Sequence, residues 1–299
     1  MMGFFSSLRP DAPGNPEEAR LPKNRFRAYF DILRGRFWKL VGLSLLTFLF
    51  FVPLYFWRIA WGAYSALPAE GLTEAEALFR SFVLESFSSL VGWPLTLLAT
   101  FGLGGAFEVV AAFTRQEGTV YLFRDFFRGA KENWKSSLLA GFFVGLGNFL
   151  FAFNSRFYPT IEGIPGFLPI FLSVFFALVM AYFHILGYFL LASATVYRFS
   201  FKASLKNNLV FAAVLFPKNL LFLLLAASFP LLLELIPYLL VQEILIALIA
   251  FYGLSHLALV YQLYGESVFD RFINRQSAPS ILGRGLDRHG DGPLGPGKE

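Results

Sequence analysis

The stretch FRDFFRGAKENWKSSLLAGFF, residues 123–143, joins a half rich in aromatic and basic side chains to a long apolar half. The same change occurs in FRAYFDILRGRFWKLVGLSLL (26–46) and in YRFSFKASLKNNLVFAAVLF (197–216). A segment with aromatic residues on one face and Lys or Arg on the other lies in the headgroup region of a bilayer, and a following apolar run crosses the hydrocarbon. The chain is therefore predicted to be an integral membrane protein built from three units, each opened by an amphipathic segment that we call an elbow.

The composition supports a membrane location. Hydrophobic residues make up 56% of the 299 residues and charged residues 15%, which is too apolar for one soluble core. Apolar runs of about 20 residues, the length needed to cross the hydrocarbon, occur repeatedly. We place six spans near 38–60, 90–113, 136–153, 167–196, 217–236 and 238–264. The predicted fold class is all-α: a polytopic membrane protein with six transmembrane helices in three hairpin units, each preceded by a cytoplasmic amphipathic helix.

The parts outside this region are short. Residues 1–24 and 271–299 contain Pro and Gly without periodicity, and they are predicted to be disordered cytoplasmic tails on either side of a transmembrane domain at 25–270. The largest external loop is predicted at 61–89. The loop sequence has the spacing of a capping box at Thr73 and Glu76, which predicts a short helix on the outer membrane face.

Basic residues indicate the orientation of the spans. The chain has 25 Lys and Arg residues, and with both termini on one side, all of them except Arg58, Arg80 and Arg156 fall on that side. Loops rich in Lys and Arg stay in the cytoplasm, so both termini are predicted to be cytoplasmic. The net charge of +5 accordingly reflects topology, and no nucleic-acid recognition motif accompanies it.

The elbows supply the predicted contacts with lipid. Their aromatic and basic side chains are expected at the membrane surface, where anionic headgroups attract Lys and Arg. The elbow residues expected there are Trp38, Lys39, Arg124, Lys131, Trp134, Lys135, Arg198 and Lys206.

A family resemblance rests on two of these segments. FFRGAKENWKSSLLAGFFVGL (126–146) and YRFSFKASLKNNL (197–209) resemble the YesL-like family of bacterial integral membrane proteins. The resemblance implies a location in the bacterial cytoplasmic membrane. Family members have no established activity, and their genes often lie beside those of carbohydrate ABC uptake systems, so the resemblance implies an accessory role in sugar import with ABC transporter membrane subunits as partners. The residues that carry it are Phe126, Phe127, Lys131, Asn133, Trp134, Lys135, Gly141, Tyr197, Arg198, Ser204 and Lys206.

Enzymatic signatures are missing from the sequence. It has no Cys and three His, and it contains no HExxH, GxSxG or P-loop pattern. We therefore predict a non-enzymatic protein with no cofactor and no metal.

Glu108, His184 and His256 are ionisable residues inside predicted spans, where polar groups are expensive and often functional. We hypothesise that Glu108, His184 and His256 face one another and line a polar path, which would make the protein a small-solute transporter or channel. The alternative is that each histidine bonds to a nearby backbone carbonyl or to a hydroxyl such as that of Ser255.

Small and aromatic residues suggest packing sites. Gly141 and Gly145 form a GxxxG pattern, and Gly102 and Gly105 belong to a glycine cluster in the second span, so close helix packing within the bundle or dimerisation is predicted. A group of aromatic residues at the outer face is predicted either to anchor helices at the interface or to stack on sugar rings. Its members are Trp57, Trp61, Tyr64 and Trp93.

Overall fold

The computed structural model describes residues 21–67, 71–161, 163–236 and 238–287, and these ranges contain helices and no strand. Five helices are long and apolar enough to cross a membrane, and a bent pair could supply a sixth crossing. The predicted all-α polytopic membrane protein is therefore confirmed. The helices are α1 (Arg25–Ser65), α2 (Glu74–Thr114), α3 (Leu122–Glu132), α4 (Trp134–Phe157), α5 (Phe167–Val196), α6 (Phe201–Val214), α7 (Phe216–Ala226), α8 (Ser228–Leu235), α9 (Leu239–Leu248), α10 (Leu254–Phe269) and α11 (Arg275–Ser277).

The long helices alternate in direction. The start of α1 at Arg25 and the ends of α2, α5 and α10 meet at one end of the bundle, which we call the terminal face. The opposite end is the distal end. Between them, α2 packs on α1, α4 and α10, and α5 packs on α4 and α10. The core lies nearer the terminal face, and its largest fully buried side chains include Phe107, Phe126, Phe189, Tyr261 and Phe269.

Each elbow ends at one residue whose backbone leaves the α-helical region. These residues are Arg36 (φ −130°, ψ 22°), Asn133 (φ −96°, ψ 12°) and Leu215 (φ −103°, ψ 19°). Elbow 1 is the first part of α1, elbow 2 is α3 and elbow 3 is α6. At the last break, α6 and α7 meet at 94°. The three units thus share a helix that ends at a backbone break before the chain enters the bundle.

The predicted fifth span, 217–236, is not one continuous helix. It is divided at Ala227 into α7 and α8, of 11 and 8 residues. Pro230 accounts for the break, because proline lacks an N–H and its ring clashes with the carbonyl four residues earlier, here that of Ala226. Neither part alone reaches the length of a transmembrane helix.

Lys39 does not lie at the surface as predicted for an elbow residue. Its exposed fraction is 4%. The break at Arg36 ends the elbow before Lys39, so this side chain belongs to the first turn of the span and faces the bundle.

The helices at the distal end are longer than predicted. α1 runs to Ser65 and α2 begins at Glu74, so most of the predicted external loop at 61–89 is helical. The capping box of Thr73 and Glu76 is confirmed. However, this helix is not confined to the outer face. It is 41 residues long, about 60 Å, and continues into the second span, because neither Gly92 nor Pro94 interrupts it.

The predicted C-terminal tail is partly structured. A π-helical turn at Asp270–Asn274 extends the last helix into α11, and a 3₁₀ turn follows at Pro279–Ile281. The segment 278–287, which we call the strap, crosses the terminal face, and the Asp287 N–H donates to the Pro22 carbonyl over 3.0 Å. The predicted tail regions 1–20 and 288–299 lie outside the described residues.

The glycines singled out in the sequence lie at close approaches within the chain. A Cβ on Gly141 would stand 2.9 Å from the Leu97 Cα, and one on Gly145 would stand 2.1 Å from the Trp93 ring. A Cβ on Gly102 would stand 2.6 Å from the Phe50 Cβ. One on Gly105 would stand 2.7 Å from the Phe126 carbonyl oxygen. These glycines allow α2 to approach α1, elbow 2 and α4.

We expect Gly141→Ala to lower the free energy of unfolding by about 1–3 kcal/mol, because the added methyl group meets the Leu97 backbone. The matched control is Gly62→Ala in α1, where a Cβ would meet nothing within 4 Å. The control should leave stability unchanged or raise it by up to ~1 kcal/mol. Thermal unfolding in detergent compares the two variants. Equal melting temperatures would contradict the close approach of α2 and α4.

Candidate functional site: polar groups of the bundle

Glu108 holds elbow 2 against α2. Its Oε2 accepts a hydrogen bond from Asn133 Nδ2 over 3.0 Å, and Asn133 is the residue at which the elbow ends. Gly129 makes room for this contact, because a Cβ there would stand 2.3 Å from the Glu108 Cβ. The carboxylate therefore fastens a backbone break to a neighbouring helix.

His184 bonds to its own helix. Its Nδ1 lies 2.9 Å from the Met180 carbonyl oxygen one turn earlier in α5. Because a carbonyl only accepts, the ring carries its proton on Nδ1 in the neutral form.

His256 satisfies the end of a different helix. Its Nε2 lies 3.1 Å from the Leu225 carbonyl oxygen, near the end of α7, where carbonyls lack helical partners. Its Nδ1 lies 2.9 Å from the Tyr29 hydroxyl, which in turn lies 2.9 Å from the Tyr252 hydroxyl. In the neutral ring Nε2–H donates to Leu225, so Nδ1 accepts from Tyr29 and the Tyr29 oxygen accepts from Tyr252.

The three predicted site residues are thus bonded to separate partners. Glu108 contacts elbow 2, His184 contacts α5, and His256 contacts elbow 1 and α7. Among the described residues, no hydrogen bond joins any two of them. Both histidines match the alternative reading, in which a backbone carbonyl or a hydroxyl satisfies the ring, although Ser255 is not the partner.

The main polar cluster lies elsewhere, around Glu266 at the terminal face. Its Oε2 lies 2.7 Å from a guanidinium nitrogen of Arg25 in elbow 1. Its Oε1 lies 3.6 Å from Arg115 Nε and accepts hydrogen bonds from the Thr114 hydroxyl over 2.8 Å and from Gln262 Nε2 over 3.1 Å. The exposed fraction of the Glu266 side chain is 6%, so this carboxylate is buried together with its partners.

Asp270, one turn further along the last helix, binds the strap through a hydrogen bond and forms an ion pair with Arg25. It pairs with Arg25 over 3.0 Å, and its other oxygen accepts from the Gly283 N–H over 3.1 Å. Arg25 also donates to the Arg284 carbonyl over 3.0 Å. Gly285, at φ +81°, lets the strap pass directly under α2, because a Cβ there would stand 2.0 Å from the Thr114 carbonyl oxygen.

Two further hydrogen bonds join the end of α5 to this cluster. Arg115 donates to the Thr195 carbonyl over 2.8 Å, and the Tyr197 hydroxyl donates to Asn274 Oδ1. Burial raises the pKa of Tyr197, and the nearby Asp270 carboxylate raises it further, so the phenol stays protonated as this bond requires. The cluster therefore joins elbow 1, α2, α5, the last helix and the strap.

The charges of this terminal network balance. Burying a charge is costly unless it is paired and hydrogen-bonded, and here each carboxylate has several donors. A cavity of about 50 Å³ remains among the charged groups, with room for a water or two. The ionised members are Arg25, Arg115, Glu117, Glu266, Asp270 and Arg284.

The amino-acid sequence carries a local signal for this network. Gln262, Glu266, Asp270 and Asn274 are spaced by four residues, which puts them on one face of a helix. The predicted last span ends at 264 and the predicted tail begins at 271, so the prediction does not treat these four residues as one helical face.

The other residues predicted for the elbows lie at the surface of the bundle. Arg124 stacks over the Tyr121 ring at 4.2 Å, and the Lys135 ammonium lies 5.6 Å from the centre of the Trp134 ring. Such cation–π pairs leave both charges accessible to headgroups. The exposed residues among those predicted for the elbows are Trp38, Arg124, Lys131, Trp134, Lys135, Arg198 and Lys206.

The distal aromatic residues connect helices. The indole N–H groups of Trp57 and Trp61 donate to the Ser88 and Leu84 carbonyls, each over 3.1 Å. The two indole rings stack at 5.1 Å between centroids. Their polar atoms are therefore engaged in joining α1 to α2.

In the part of the chain that the structure describes, no group of three or more His, Cys, Asp or Glu could hold a metal ion. Comparisons with models of known protein families, with curated proteins and with solved structures give no match to this chain. The resemblance to the YesL-like family accordingly stays a prediction.

We expect Glu266→Gln to lower the free energy of unfolding by about 3–5 kcal/mol, because it leaves the buried Arg25 and Arg115 charges without their shared carboxylate. The matched control is Glu132→Gln, which removes an exposed carboxylate of α3. Thermal unfolding in one detergent measures both. If the two variants melted at the same temperature, the terminal network would not be a stabilising element.

Proposed function

We propose that the protein is a non-enzymatic integral membrane protein and an accessory subunit of a carbohydrate ABC uptake system. The observation that carries this proposal is the separate local bonding of Glu108, His184 and His256. A solute path needs polar groups that converge or succeed one another across the membrane. Each of these groups instead satisfies an elbow, its own helix or a helix end, which favours a structural subunit over a transporter.

Its lateral surface supports a role among other membrane proteins or lipids. In the most apolar window of α5, 22% of the residues are buried inside the bundle. The outward-facing side chains include Phe167, Ile170, Phe171 and Val174, all more than half exposed. An apolar surface of this kind faces either lipid or the helix of a partner. The link to sugar import rests on the resemblance of residues 126–146 and 197–209 to the YesL-like family.

We further propose that the protein lies in the bacterial cytoplasmic membrane with both termini in the cytoplasm. The terminal face carries the elbows, whose exposed Lys and Arg residues suit the anionic inner leaflet. Arg58 and Arg156 then lie at the distal, external end.

This orientation is testable by labelling single cysteines, because the chain has none of its own. Arg156→Cys and Gln276→Cys place thiols at exposed positions near opposite ends. In cells whose outer barriers admit the reagent, a membrane-impermeant maleimide should label Arg156→Cys directly and Gln276→Cys after permeabilisation of the inner membrane. The reverse pattern would overturn the orientation.

The proposed partnership is tested by purifying the tagged protein from native membranes in mild detergent and identifying what accompanies it by mass spectrometry. We expect permease or ATPase subunits of an ABC importer in stoichiometric amounts. A second tagged polytopic protein from the same membranes is the control. A solitary protein that moves solute in proteoliposomes, with flux lost in Glu108→Gln and His184→Leu, would instead establish the transporter alternative.

A further inference from the structure

The hairpin of α8 and α9 differs from the rest of the bundle in how little it packs. We call it the distal hairpin, residues 228–236 and 238–248. Its two helices contact mainly each other, α7 and the π-helical turn that follows. No residue of α8 is buried, and among the described side chains of α9 the buried one is Leu245. The hairpin therefore has little tertiary packing to fix its position.

Each arm of this hairpin joins the bundle at a backbone break. The first arm starts at Ala227, where φ is −91° and ψ is 17°. The second ends in the π-helical turn Ile249–Gly253, which inserts an extra residue into the helix. The breaks face each other, because the Phe229 ring lies 6.3 Å from Tyr252 and a Cβ on Gly253 would stand 3.4 Å from the Phe229 Cβ. Paired breaks at one level have the geometry of a hinge.

The bundle holds the base of this hinge firmly. The Ser44 hydroxyl of α1 donates to the Ile249 carbonyl over 3.1 Å and accepts from the Leu254 N–H over 3.3 Å. The Leu254 N–H also donates to the Ile249 carbonyl, so Ser44 is an additional partner for both ends of this π-helical hydrogen bond. On the other arm, His256 satisfies the Leu225 carbonyl. Both breaks are thus bonded to groups outside the hairpin, so the bundle holds the two points from which the hairpin extends.

One ion pair joins the body of the hairpin to α1. Arg58 of α1 lies 3.1 Å from Glu234 of α8, and their side chains are 54% and 69% exposed. A pair this exposed is weak and sensitive to salt. The ion pair can therefore form and break with a small change in free energy, as a latch requires.

We propose that the distal hairpin swings as a unit about Ala227 and Ile249–Gly253, and that the Arg58–Glu234 ion pair latches it to α1. This conformational device is independent of the accessory function proposed above. The hairpin rotates, and the core around Tyr261 and Phe189 keeps its packing.

Spin labels measure this motion directly. Ile59→Cys on α1 and Leu240→Cys on α9 are exposed positions on the two sides of the latch. Double electron–electron resonance on the full chain in phosphatidylcholine–phosphatidylglycerol nanodiscs gives their distance distribution. The reference pair is Leu90→Cys and Phe142→Cys, exposed positions on α2 and α4, which pack together along much of their length.

Glu234→Gln removes the latch, and Glu243→Gln is its matched control, because Glu243 is an exposed carboxylate on the same hairpin. We expect Glu234→Gln to raise the population of the longer 59–240 distance about two- to fivefold, the size of one exposed ion pair. Glu243→Gln should leave the distribution unchanged. Exchanging the charges, with Arg58→Glu and Glu234→Arg together, should restore it. The 90–142 distribution should stay constant throughout.

Raising the salt concentration provides a second measurement that needs no change at the latch. It should shift the 59–240 distribution of the parent chain in the same direction as Glu234→Gln. An unchanged 59–240 distribution in Glu234→Gln and in high salt would overturn the proposal. An equal change in Glu243→Gln would overturn the specific role of the Arg58–Glu234 pair.

Discussion

The carboxylate of Glu266 sits between Arg25 and Arg115, and the arrangement of the terminal face depends on this contact. A charge that is 6% exposed loses most of its hydration, and only well-placed partners offset that loss. The partners come from elbow 1 and from the end of α2, and Thr114 and Gln262 complete the oxygens' bonding. Elbow 1, α2 and the last helix must therefore come together at one point, which fixes the alternation of the long helices between them.

A second constraint acts on the backbone breaks. Where a helix turns inside the bundle, its freed polar groups need partners that do not depend on lipid. At elbow 3, Asn219 donates to the Phe211 and Ala212 carbonyls and accepts from Tyr264. At the base of the distal hairpin, His256 is the partner of the Leu225 carbonyl, and Ser44 adds a second partner to the groups that close the π-helical turn. The polar residues within the apolar helices are thus explained mainly by helix geometry.

The membrane fold followed from the sequence because long apolar runs and aromatic–basic elbows depend on local composition. The bounds of α5 coincide with the predicted span at 167–196 for this reason. The interruption at Ala227 and the terminal network depend on tertiary contacts. Pro230 indicates an interruption of the fifth span, and the four-residue spacing from Gln262 to Asn274 indicates a polar helix face. The pairing of that face with Arg25 leaves no local pattern, because Arg25 lies at the other end of the chain. The hypothesis that Glu108, His184 and His256 converge rests on their positions within predicted spans, and such positions do not determine which helix faces which.

The most direct test of this account is a double-mutant cycle on Arg25 and Glu266, with unfolding of the full chain measured in one detergent. If the two charges belong to one buried network, Arg25→Gln and Glu266→Gln together should destabilise the protein by less than the sum of the two single changes, with a coupling free energy of about 1–3 kcal/mol. If the two effects added fully, the ends of the chain would be stabilised independently. The terminal network would then not be the element that holds the bundle together.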